Sequence, residues 1–175
     1  WDRTTGYNGA VTGAGTRGGS TAYSTAFDYA SVSVVNAAPV LNDLGAPLFD
    51  GILPNTPDAS NPGTLVSTIM SRMSPGGSVT DANPSALRGI AIIGKTATAT
   101  GTWEYSINNG ATWLAINATG GANALLLASD ANTRVRYRPN AGFRGEAKIA
   151  FTAWDQTTGT NGGTVNASTR GGTTA

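Results

Sequence analysis

Gly101-Thr-Trp-Glu-Tyr-Ser-Ile-Asn-Asn-Gly-Ala-Thr-Trp-Leu-Ala-Ile116 reads as a β-hairpin. Trp103, Tyr105 and Ile107 alternate with polar residues, Asn109-Gly110 is the strongest short turn signal, and Thr112 to Ile116 returns. Working outward, Ala122 to Ala128, Arg134 to Arg138 and Glu146 to Trp154 are strand candidates, with Ala147, Ile149, Phe151 and Ala153 on one face of the last. Asn140 to Gly145 is the turn before it, and Gly89 to Ile93 reads as a short buried strand. Tyr23 to Val35 is a long alternating run that places Ala26, Ala30, Val32 and Val34 together. One segment breaks the period of two. Leu65, Val66, Ile69, Met70 and Met73 recur as on a helix face, so one short helix is predicted near 63–73. The five prolines between Ala38 and Pro62 predict an extended loop there rather than a central strand.

Composition narrows the function. The 175 residues carry 11 Lys and Arg against 10 Asp and Glu, and this balance gives no electrostatic case for nucleic acid or a polybasic membrane contact. With no Cys and no His, disulfides, thiolate nucleophiles, the usual zinc sites and His-dependent triads are excluded. The 24 glycines and the 12% charged residues suit secreted β-repeat proteins better than cytosolic enzymes. No apolar run is long enough to span a bilayer, and a chain opening on Trp1 is expected to be a piece of something longer.

The chain repeats itself. Trp1 to Ala22 aligns on Trp154 to Ala175 without a gap, at an offset of 153, with 14 of 22 residues identical. This predicts three parts: 1–36 as the terminal strands of a preceding unit or a donor strand, 37–153 as the main β-domain, and 154–175 as the start of the duplicated segment.

The middle of the chain resembles a known family. Val79-Thr-Asp-Ala-Asn83 before Gly89-Ile-Ala-Ile92, then Gly101 to Ser106, Asn109 to Trp113, Leu125 to Leu127, Arg136 to Asn140, Gly142 to Gly145 and Phe151 to Asp155, follow the order of cadherin-like tandem repeats in giant bacterial extracellular adhesins. The resemblance covers roughly Val79 to Asp155, and Pro39 to Gly77 matches loosely. It implies an all-β, Greek-key β-sandwich of cadherin or Ig type.

It also implies a metal site. In that family an Asp-Ala-Asp motif and the Asp after the penultimate strand bind calcium near a domain junction, which carries over to Asp81, Asn83 and Asp155. Asn83 stands where the family has a second Asp, and Val34 to Ala38 lacks the family's acidic linker. The alternative is that these residues cap turns through Asx hydrogen bonds. Trp103, Tyr105 and Trp113 open a second line, since exposed coplanar aromatics stack on sugars, although alternation points Trp103, Tyr105 and Ile107 towards a core. Glu104 and Glu146 read as isolated carboxylates pointing outward, so no enzyme is expected.

The expected function is structural: a repeat of a secreted bacterial surface or filament protein, serving extension, adhesion and head-to-tail self-association. The alternative is a carbohydrate-binding β-sandwich module. The partners expected are neighbouring copies of the same repeat, with a cell-surface glycan or protein as adhesion target, and calcium is the one cofactor. Tyr23, Ala26, Phe27, Ala30, Val32 and Val34 are the candidate donor strand, expected to pair beside Glu146 to Trp154 within or between chains.

Overall fold

An alternating segment becomes a strand only where an edge lies ready to pair with it. The computed structural model describes residues 7–9, 15, 18–20, 23–73, 78–118 and 120–171. The chain divides into Trp1–Val34 and Val35–Ala175, so the first boundary falls two residues before the expected one, and 154–175 belongs with the main unit. The first copy of the repeated motif lies largely outside the described residues.

Val35–Ala175 is all-β with very little helix. In chain order its elements are β1 (Val40–Asn42), β2 (Thr64–Leu65), α1 (Val66–Ser71), β3 (Ser78–Thr80), β4 (Gly89–Lys95), β5 (Gly101–Ser106), β6 (Leu114–Ala115), β7 (Ala124–Ala128), β8 (Arg134–Pro139), β9 (Ile149–Trp154) and β10 (Thr164–Val165). They form three antiparallel sheets, ordered β10-β7-β4-β9, β2-β8-β5-β6 and β1-β3.

The two larger sheets share one core. Ile90 and Ile92 from β4 and Leu125 and Leu127 from β7 pack in one cluster with Trp103 and Tyr105 from β5 and Val135 from β8. Fully burying each such aliphatic side chain contributes about 1.5–3 kcal/mol. In β7 all five residues are buried, because Ala124, Leu126 and Ala128 face a second cluster with Ala91 and Trp154. Both faces of that sheet are therefore covered.

The hairpin forms with a longer loop than two residues. β5 ends at Ser106 and β6 begins at Leu114, and Asn109 and Gly110 take left-handed φ of 56° and 88° between them. Ser106 Oγ accepts the Gly110 N–H at 2.9 Å, which closes the turn. Ile107, expected in the core, is 45% exposed because it lies beyond the strand. The helix is shorter than its apolar spacing suggests. Residues 64 and 65 are taken by β2, and Arg72 caps α1 at its C-terminus, yet Val66, Ile69 and Met73 are all buried as predicted. The proline-rich stretch holds one strand, β1, which pairs with β3 and with no strand of the larger sheets.

Two local findings bear on function. Among the described residues Tyr23 to Val35, read as a long strand, belongs to no ladder, and Val32 and Val34 are 87% and 94% exposed. The duplicated motif, meanwhile, keeps its backbone angle at two glycine positions described in both copies. Gly9 and Gly162, one period apart, have φ of 87° and 80°, and Gly18 and Gly171 have 80° and 82°.

Candidate functional site

β9 ends in Trp154, and the chain turns immediately after it. Asp155 Oδ1 accepts the Thr157 N–H at 2.9 Å and the Thr157 hydroxyl at 2.7 Å, the geometry of an Asx turn. Its other oxygen accepts the Asn36 side-chain amide at 2.7 Å. Asn36 also donates to Thr157 Oγ1 at 3.2 Å. Burial alone would raise the Asp155 carboxyl, but the bonds from Asn36 and Thr157 outweigh it and hold the group below its usual range.

The next residue extends the clasp. The Ala37 N–H donates to Asn83 Oδ1 at 2.8 Å, and the Asn83 N–H donates to Asp81 Oδ1 at 2.7 Å. The Asn36-Ala37 dipeptide thus ties the Asp81–Asn83 turn to the end of β9. Sequence reading named Asp81, Asn83 and Asp155; it missed Asn36, whose amide lies in the very linker judged unremarkable for want of a carboxylate.

How well the set suits calcium depends on which oxygens are uncommitted. Calcium takes six to eight oxygen ligands. Both Asp155 oxygens and Asn83 Oδ1 already accept hydrogen bonds, while Asp81 Oδ2 is buried without a partner among the described residues. Among the described residues no three His, Cys, Asp or Glu side chains gather as a metal group.

The aromatics do not make a flat platform. Trp103 is 3% exposed, donates its indole N–H to the Thr96 carbonyl at 3.1 Å, and packs against Phe49 and Tyr137, each at 5.1 Å between centroids. Tyr105 is also buried. Trp113 instead covers the other face of the sheet, with the Arg136 guanidinium 4.1 Å from its ring.

That outer face corrects the reading of Glu104. The residue does point away from the core, but it is 8% exposed and paired rather than isolated. Arg136 bonds Glu104 Oε2 through Nε and Nη2, both at 2.8 Å, and Arg138 Nε approaches Oε1 at 3.2 Å. The loop before β2 roofs the pair, since Arg136 also donates to the carbonyls of Asp58 and Asn61. Glu146 is exposed and pairs with Lys148 at 2.9 Å.

A groove of about 720 Å³ opens beside β9. Trp103, Ile149 and Phe151 lie along it with Phe49, and Phe143 and the loop from Ala46 to Pro54 border it. Arg72 pins that loop to α1 by donating to the Leu48 carbonyl at 2.8 Å and pairing with Asp50 at 2.7 Å. β9 has one ladder partner among the described strands, β4, so it stands at the edge of its sheet.

Among the described residues no helix is long and apolar enough to cross a membrane. No family model, no curated protein and no solved structure matches the chain.

Proposed function

We propose that the chain is a structural repeat of a secreted bacterial surface or filament protein, a Greek-key β-sandwich unit that serves extension, adhesion and head-to-tail self-association. The observation that carries this reading is the duplicated motif, which returns after 153 residues with matching left-handed φ at two glycine positions. A unit built to be joined to its like needs such a periodic join. Of the two tryptophans that separate the readings, Trp103 is buried and supports a spacer over a sugar-binding module, because stacking on a sugar requires an exposed ring, while Trp113 is half-buried with the Arg136 guanidinium against its ring. The carbohydrate-binding alternative would have to use another face.

The test is the native polypeptide. An antibody against this chain should detect a protein several times larger than 17.7 kDa, removable from intact cells by external protease. A band of that size or smaller, protected inside the cell, would overturn the reading.

Calcium at the junction is a second reading of the same clasp, favoured by the unpartnered Asp81 Oδ2. Asp81, Asn83 and Asp155 would contribute oxygens, and the bound ion would stiffen the join between units. A melting temperature raised by calcium and lowered by chelator supports it; equal values remove it and leave turn capping as the account.

A further inference from the structure

An asparagine followed by glycine can close its side chain onto the backbone, because glycine has no Cβ to keep the amide carbon away from the next nitrogen. Asn109-Gly110 is such a pair, with Asn109 exposed in the loop between β5 and β6. Asn161-Gly162 is another in the same unit. Their surroundings differ in the features that decide whether the ring closes.

Ser106 on β5 and Arg134 on β8 stand opposite each other in the ladder, and both reach into the Asn109-Gly110 turn. Ser106 is 2% exposed, and its Oγ accepts the Gly110 N–H at 2.9 Å. Arg134 donates from Nε to Asn109 Oδ1 at 2.7 Å, with Nη1 anchored on the Gly63 carbonyl at 3.2 Å. The Asn109 N–H bonds the Asn132 carbonyl at 2.8 Å, which fixes the tip between them. One side chain thus grips the nitrogen that would attack, and the other grips the carbonyl that would be attacked. A guanidinium on Oδ1 draws electrons from Cγ and stabilises the negative charge that grows on that oxygen as the new bond forms. Among the described residues nothing accepts from the Asn109 amide nitrogen, so the leaving group is free.

At Asn161 the leaving group is held. Its amide nitrogen donates to Thr133 Oγ1 at 2.8 Å and approaches Asp130 Oδ2 at 3.4 Å, while its Oδ1 accepts the Ala128 N–H at 3.0 Å. The Gly162 N–H is bonded to the Leu126 carbonyl at 2.8 Å. No cation touches that carbonyl, and closure there would break all of these bonds.

We propose that Asn109-Gly110 is a self-acting modification site, at which folding promotes closure of the Asn109 side chain onto the Gly110 nitrogen. The bond from Gly110 N to Asn109 Cγ forms, the Cγ–Nδ2 bond breaks, and the Gly110 proton leaves with Nδ2 as ammonia, giving a cyclic imide. Water then opens the ring at one of its two carbonyls and leaves aspartate or isoaspartate, with no oxidation or reduction. Aspartate gains an ion pair with Arg134 across the existing contact. Isoaspartate adds a backbone carbon to the turn. Both products give the hairpin loop a negative charge that the encoded sequence lacks.

The experiment uses the full 175-residue chain and two synthetic peptides, residues 107–113 and 159–165, incubated side by side at neutral pH. Peptide mapping by mass follows each asparagine, the imide as a loss of ammonia and the product as an amide replaced by an acid. Asn109 in the folded chain should convert about tenfold faster than in its peptide, less than an oxyanion donor contributes in a closed enzyme site because this loop is open to solvent. Asn161 should convert more slowly than in its peptide. Arg134→Met should return Asn109 to the peptide's rate while Asn161 stays slow, which reports in the same sample that the fold persists. Asn109 converting no faster in the folded wild-type chain than in the peptide overturns the proposal, whatever the variant does. So does an R134M chain in which Asn109 keeps the wild-type rate.

Discussion

Asn36 and Asp155, 119 residues apart in sequence, meet through a 2.7 Å bond from the Asn36 amide to Asp155 Oδ2. The bond is charge-assisted and partly buried, and it closes the first residues of the unit onto the end of β9. Replacing Asn36 with Ala should cost about 1.5–3 kcal/mol, the range for hydrogen bonds to charged groups. Urea denaturation checks this, and an unchanged midpoint would show that the clasp contributes nothing.

The same carboxylate sets an acid limit. Its folded-state pKa lies below the ordinary 3.8, so protons bind the unfolded chain more readily. The stabilisation is therefore complete above that value and fades as pH falls through the lower, folded-state pKa. Melting temperatures taken between neutral pH and about pH 2 should drop at the acid end. Asp155→Asn should melt lower at neutral pH and lose less on acidification. Parallel acid losses in both proteins would assign the effect to other carboxyls.

Breaking the covered ion pair should be worse than replacing it. Glu104→Ala leaves the Arg136 guanidinium buried against Trp113 without its partner, a loss of about 3–5 kcal/mol. The double variant E104L/R136M removes both charges and should recover most of that loss. Chemical denaturation of the three proteins decides it, and a double variant no more stable than Glu104→Ala would contradict the desolvation argument.

The two tryptophans of the hairpin should differ in cost. Trp103→Ala empties the centre of the core and should cost about 3–5 kcal/mol. Trp113→Ala removes a lid over Arg136 and should cost about 0.5–2 kcal/mol. Equal losses would mean that the sheet's outer cover matters as much as its core.

Gly89 is a packing glycine. A Cβ there would sit 2.7 Å from the Leu127 carbonyl oxygen and 2.7 Å from the Trp154 ring. The carbonyl belongs to a paired strand and cannot retreat without disturbing β4 and β7. Gly89→Ala should therefore destabilise by about 1–3 kcal/mol, read as a lower urea midpoint, and a neutral result would show that the sheet yields at this point.

The strands that sequence made legible are those that serve the large core, either by a period of two or, in β4 and β7, as short apolar runs buried on both faces. β5, β8 and β9 alternate because Trp103, Val135, Ile149 and Phe151 all point between the same two sheets. β1 and β10 were invisible for a physical reason: three residues beside Pro39, and two among Gly, Asn and Thr, are too few to show a period. Tyr23 to Val35 has the period, but among the described residues it joins no ladder, because a period of two fits any extended segment and does not name a neighbour. In the clasp, Asp81, Asn83 and Asp155 were found because carboxylates and amides near turns attract notice. Asn36 and Arg136 were not, since the importance of each lies in a partner more than 30 residues away.

The paired glycine conformations at Gly9 and Gly162, and at Gly18 and Gly171, have a consequence at the level of the gene. A crossover between the two copies adds or removes 153 residues and rejoins like with like in sequence, with the same left-handed φ at the two glycine positions described in both copies. Such an exchange lengthens or shortens the chain in whole periods and keeps glycine at the positions that need a left-handed φ. Unequal exchange between lineages would then show as proteins differing by multiples of one period, with the folded unit unaltered.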